Sequence, residues 1–119
     1  MVKISDLGTW GEEIFNVFLR HKDDLLKEMT EEEKETFFKF LGKVEIAYKS
    51  IRDIDRAVIK MYAIDKKRPG SIHRELTGKT NTTKGRILIR RAFANFYNMY
   101  NFINNVSLGI PAIEPKMYE

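Results

Sequence analysis

Between Phe37 and Tyr62 the apolar residues keep one spacing. Phe37, Leu41, Val44, Tyr48, Ile51, Val58 and Tyr62 fall on one stripe, with Phe40, Ala47, Ile54 and Met61 beside it at intervals of seven. Steps of three and four share a face only on an α-helix, so the pattern predicts a long amphipathic helix over about residues 31–64. Thr30-Glu31-Glu32-Glu33 supplies its start, as a capping box with carboxylates at the positive end of the helix dipole. At 1.5 Å per residue such a helix is about 50 Å long, more than a chain of this size needs in one direction. Gly42 is a place for it to bend; otherwise its far end projects and packs on another subunit.

The rest of the chain reads as helical too. Thr9-Trp10-Gly11-Glu12 has the form of a capping box, which places a first helix at about 10–28. Its apolar residues are interrupted by Arg20-His21-Lys22-Asp23-Asp24, where a break near Lys22 is expected. Residues 66–83 hold Pro69-Gly70 and Gly78 without a sustained period and read as a basic loop, with a short helical turn from Ser71 to Leu76 that Gly78 ends. A third long helix is expected over about 84–106, with Ile89, Ala92, Phe93, Phe96, Tyr100 and Ile103 as its apolar stripe. Gly109, Pro111 and Pro115 make residues 107–119 an extended tail that could lie along a groove. The expected fold is all-α: one helical domain over 1–119, a small bundle of three long helices plus short helical turns and the C-terminal tail.

Composition removes several function classes. There is no cysteine, which excludes disulfides, thiolate metal sites and cysteine nucleophiles. Hydrophobic residues at 43% and charged residues at 32% belong to a globular chain rather than a disordered one. The start lacks a signal-peptide core, and no apolar run approaches the roughly 20 residues of a membrane span. A cytoplasmic protein without membrane contact is the expectation.

Charge is divided along the chain. Residues 1–65 carry 11 Lys/Arg against 14 Asp/Glu, and residues 66–119 carry 10 against 3. The positive excess sits in Lys66, Lys67, Arg68, Arg74, Lys79, Lys84, Arg86, Arg90 and Arg91, with Glu75 as the one acid among them. Phosphate backbones favour such a cluster, because each neutralised phosphate releases counterions and no base geometry is required. Arg86 and Arg90, four apart, share a helix face, with Lys84 and Arg91 to either side of the buried stripe. Solvated charge, or pairing with acidic groups of the same or another protein, is the competing explanation.

Other constellations carry less. Asn95, Asn98, Asn101, Asn104 and Asn105 surround Tyr97 and Tyr100, and could offer amides to a backbone and a ring to an unpaired base, or simply form a polar face. Gly78-Lys79-Thr80 resembles the end of a phosphate loop, but His73 stands where its first glycine belongs. Glu31, Glu32, Glu33 and Glu35 are accounted for by the helix start. Asp55 lands close to the apolar stripe and needs a cation, with Arg52, Arg56 or another helix to supply it. Arg68 and His73 have the Arg-x4-His spacing of the HEPN group of helical ribonucleases; that resemblance implies RNA cleavage near a dimer seam. Pro69 and Gly70 lie between them in the expected loop, so a surface histidine is the reading retained. No metal ligand set and no cofactor is implied.

These features lead to a non-catalytic helical protein that binds a nucleic-acid backbone, RNA or DNA, as a small subunit of a larger nucleoprotein assembly. Protein partners or self-association are expected with it. In size, helicity and basic face the chain is broadly similar to the small helical subunits of CRISPR effector complexes. The alternative is a protein–protein interaction module of phage or regulatory type whose basic half occupies an acidic protein surface.

Overall fold

A computed structural model describes residues 3–19 and 27–107. Five α-helices and one π-turn occupy them: α1 (Ile4–Leu19), α2 (Glu31–Ser50), α3 (Asp53–Ile59) running into the π-turn (Lys60–Ile64), α4 (Pro69–Thr77) and α5 (Thr82–Ser107). The chain is all-α; no strand occurs among the described residues. The expected break near Lys22 and the expected extended tail fall outside them, apart from Ser107, which still belongs to α5.

α5 is the central element, packed by α1, α2, α3 and α4. Ala92, Phe93, Ala94, Asn95 and Phe96 are buried in succession, so this part of α5 has no solvent face. Phe15 of α1, Val44 and Ala47 of α2, Val58 and Ile59 of α3 and Ile72 of α4 complete the core around it. Glycine sets how closely two of these helices approach. A Cβ on Gly11 would lie 2.2 Å from the Phe93 carbonyl oxygen, and one on Gly85 would lie 2.0 Å from that of Pro69.

Three expected elements take a different form. The helix expected over 31–64 is interrupted, because Ile51 and Arg52 are extended between α2 and α3. The interruption is held from downstream: the Arg56 guanidinium donates to the carbonyls of Lys49 (2.7 Å) and Ile51 (2.8 Å), satisfying groups that the end of α2 leaves free. Gly42, the expected place for a bend, lies inside α2, and the interruption comes nine residues later. Thr30 does cap α2, accepting the Glu33 amide at 3.2 Å. The first helix begins at Ile4, so Thr9 lies in mid-helix, its hydroxyl donating to the Ser5 carbonyl at 2.9 Å.

The segment 66–83 is not a basic loop throughout. Residues 69–77 are the helix α4, with Pro69 in its first turn, where a missing N–H costs nothing. Gly78 ends it in the left-handed region (φ 84°), donating to the Arg74 carbonyl at 2.7 Å. Asn81 then starts α5 by accepting the Lys84 amide at 2.9 Å.

Candidate nucleic-acid interface

The cluster of nine cations expected from the sequence is dispersed by the fold. Arg86 and Arg90 project from the first turns of α5 into a cleft of about 280 Å³, lined also by Gly8, Thr9 and Glu12 of α1, Tyr62 of the π-turn and Pro69 of α4. Lys66 and Lys67 border an adjoining cleft of about 630 Å³ with Asn16, Leu19, Ala63 and Ile64. Glu12 and Tyr62 line both clefts, which adjoin there as one groove with Arg86 and Arg90 in one part and Lys66 and Lys67 in the other. Among the described residues, no ion pair involves Lys66, Arg86 or Arg90.

The other five cations lie off this groove. Arg68 is the residue before α4, next to Pro69 at the rim, and Arg74 is exposed on α4. Lys79 is exposed in the turn between α4 and α5. Lys84 and Arg91 do not flank the buried stripe as expected: seven residues apart, they share one side of α5, roughly 130° around the helix from Arg86 and Arg90 at 100° per residue. Lys67, although it lines the groove, is ion-paired with Glu75.

Local backbone geometry aims these groups. A π-turn holds one more residue than an α-turn and shifts the phase of the residues beyond it. Here it buries Met61 and Ala63 while turning Tyr62 to the groove, with the Tyr62 ring edge-on to Phe93 at 6.2 Å. Lys66 closes the turn with a left-handed backbone (φ 58°), and the Lys67 amide donates back to the Met61 carbonyl at 2.9 Å. On the opposite wall, Gly8 and Gly11 let α1 lie flush on the backbone of α5 at Arg90 and Phe93. Glu12 is thereby brought beside Tyr62.

Burial, and then the neighbouring Glu12 carboxylate, hold the Tyr62 phenol above its ordinary value. Burial likewise raises Tyr48 and Tyr100. An acid raised in the folded state favours folding fully below its unfolded value, about 10, and that contribution disappears as pH climbs through the folded value. Absorbance titration at 295 nm should therefore show these three phenols ionising late, and stability should decline above pH ~10. Glu12→Gln should bring Tyr62 partway down and leave Tyr48 and Tyr100 in place.

Several groups singled out in the sequence are used by the fold itself. Asn95, one of the five asparagines of α5, is fully buried and donates to Asp55 Oδ2 at 2.9 Å. Arg52 meets the same carboxylate at 3.1 Å, so Asp55 has both its cation and its amide. Asn104 accepts from Lys43 at 3.0 Å. Tyr97 is half-buried, its ring 5.5 Å from that of Trp10. His73 is a buried residue, 8% exposed, and not the surface histidine expected; its Nδ1 faces the Lys79 carbonyl, which only accepts. Gly78-Lys79-Thr80 is thus a helix stop tied down by His73.

Among the described residues, no group of three or more His, Asp or Glu is placed to hold a metal ion, and no helix is long and apolar enough to cross a membrane. Glu12 and Tyr62 are the groove residues that sequence reasoning missed. In the sequence Glu12 reads as part of a cap and Tyr62 as part of a core stripe, and the one available signal is a phenol on an apolar stripe four residues before Lys66. No family model matches this chain, and no curated protein or solved structure shows significant similarity to it.

Proposed function

We propose that the protein binds a nucleic-acid backbone along the groove between α1, the π-turn and the start of α5, as a non-catalytic subunit of a nucleoprotein assembly. The observation that carries this reading is the convergence of Arg86, Arg90 and Lys66 on one open groove without an ion pair there. Two adjoining clefts with cations in each suit a linear polyanion, and guanidinium and ammonium groups suit phosphate oxygens. Tyr62 lines both clefts and brings an aromatic ring to the place where a base would lie. Among the described residues, Asn16 is the one side-chain amide lining the groove, so sequence-independent binding is the form proposed.

Binding of random-sequence RNA and DNA should weaken linearly on a logarithmic salt scale, with a slope near −0.9 per contacted duplex phosphate or about −0.7 for a single strand. Arg86→Ala/Arg90→Ala should reduce that slope by about two contacts. Lys84→Ala/Arg91→Ala, on the other side of α5, should change it far less. Among the described residues, Glu12 is the one acidic side chain lining the groove. Glu12→Gln should therefore tighten binding about fivefold, on the scale of one ~1 kcal/mol charge contact in water. An absence of binding at low salt defeats the proposal and leaves the acidic protein surface as the partner to test.

A further inference from the structure

Glu12 stands on the wall of a groove whose other charged lining residues, among those described, are all cations. It is half-buried on α1 and lines both clefts where they adjoin, with Arg86 and Arg90 in one part and Lys66 and Lys67 in the other. Among the described residues, no ion pair joins Glu12 to any of these four. The Tyr62 phenol meets it as a hydrogen-bond donor. An ionised carboxylate only accepts, and its two oxygens offer about four acceptor sites. One phenol therefore leaves most of that capacity to whatever enters the groove.

A ligand that satisfies Glu12 must supply a donor. A phosphate diester has none, so it meets the cations and is repelled by the carboxylate. Along a strand, however, a sugar separates each phosphate from the next. When phosphates sit on the cations in both parts of the groove, the carboxylate between them falls beside the sugar. Within a DNA strand both hydroxyls of the deoxyribose are esterified, and no donor remains. Ribose keeps its 2′-hydroxyl, a donor that every nucleotide repeats whatever its base. Base N–H groups change from one nucleotide to the next, so a groove indifferent to sequence has no regular partner among them. Carboxylates recognise a ribose 2′-hydroxyl in the same way in dinucleotide-binding folds.

We propose that the groove selects RNA over DNA, with Glu12 accepting a ribose 2′-hydroxyl and Tyr62 as the positioning residue that steadies the Glu12 carboxylate. The inference rests on the nucleic-acid reading of the groove. In DNA the repulsion between Glu12 and the phosphates stands alone; in RNA the hydrogen bond offsets it.

Fluorescence anisotropy of the full chain with short single-stranded oligonucleotides of one sequence tests this. The probes are RNA, DNA, and RNA with fluorine in place of every 2′-hydroxyl, which keeps the RNA sugar pucker and removes the donor. RNA should bind about tenfold tighter than DNA, the lower end for one hydrogen bond to a charged group, and the fluorinated strand should bind like DNA. Glu12→Ala should bring all three to within about twofold of one another, with the circular dichroism spectrum and urea midpoint of the parent. Tyr62→Phe should narrow the RNA preference without weakening DNA binding. Equal binding of RNA and DNA, each still weakened by Arg86→Ala/Arg90→Ala, overturns the inference and leaves the groove reading standing. A fluorinated strand that binds like RNA overturns it too, as does an RNA preference that survives Glu12→Ala. Absence of binding by every strand at low salt removes the groove reading itself, and the inference with it.

Discussion

Phe15→Ala should cost about 3–5 kcal/mol of folding stability, the range for removing a large aromatic side chain from a packed core. Phe15 is 1% exposed, and its ring touches those of Phe18, Tyr48, Phe93 and Phe96 at centroid distances of 5.7, 5.5, 6.1 and 5.5 Å. It joins α1 and α2 to the central helix, so the cavity opens where three elements meet and none can close it alone. For a domain whose total stability is about 5–15 kcal/mol, this is a fifth or more of the whole. Urea unfolding followed by circular dichroism measures it, and Phe15→Leu, which leaves a smaller cavity, should cost less. A cost under about 1 kcal/mol would mean that α1 is not seated on α5 through this ring.

Gly85→Val should cost about 3 kcal/mol, the upper part of the usual range for overpacking. The Cβ alone would stand 2.0 Å from the Pro69 carbonyl oxygen and 2.5 Å from its carbon. Both are backbone atoms, so the clash is relieved only by lifting α4 from α5. That movement also displaces Pro69 from the groove wall, and binding should weaken with stability. Gly42→Ala is the contrast: its Cβ enters open space, and replacing glycine inside a helix should stabilise by roughly 0.5–1 kcal/mol. Equal effects at the two glycines would refute the close packing of α4 on α5.

The fold was legible wherever local chemistry decided the outcome. Thr30 and the three glutamates after it start a helix, and Gly78 stops one, because caps depend on a few neighbouring residues. The apolar stripes of α2 and α5 follow the helical period, and their buried residues are largely those the spacing selects. The interruption at Ile51-Arg52 was not legible, since the stripe keeps its spacing across it and the group that stabilises it, Arg56, acts from the following helix. Thr9-Trp10-Gly11-Glu12 matches a helix start but sits within α1. There Gly11 answers to the Phe93 backbone rather than to local propensity.

The candidate site was legible by half. The shared face of Arg86 and Arg90 follows from their spacing, and both enter the groove. Lys84 and Arg91 look equivalent on charge alone, yet the helical rotation of α5 turns them to another side. Glu12 and Tyr62 enter only because α1 packs flush on α5 and because a π-turn rotates one residue outward, two tertiary facts with no sequence pattern of their own. Asn95 and Asp55 show the converse, polar residues whose partner is each other: burial without that partner would be costly.

The central claim, that one particular groove receives a phosphate backbone, is tested most directly by NMR titration of the labelled protein with a short random-sequence oligonucleotide, reading backbone amides and arginine Nε–H signals together. The account predicts that the largest shifts fall on Thr9, Glu12, Tyr62, Lys66, Arg86 and Arg90, and that they revert as salt is raised. Shifts concentrated on Lys84 and Arg91, or on the outer face of α2, or none at low salt, would contradict it.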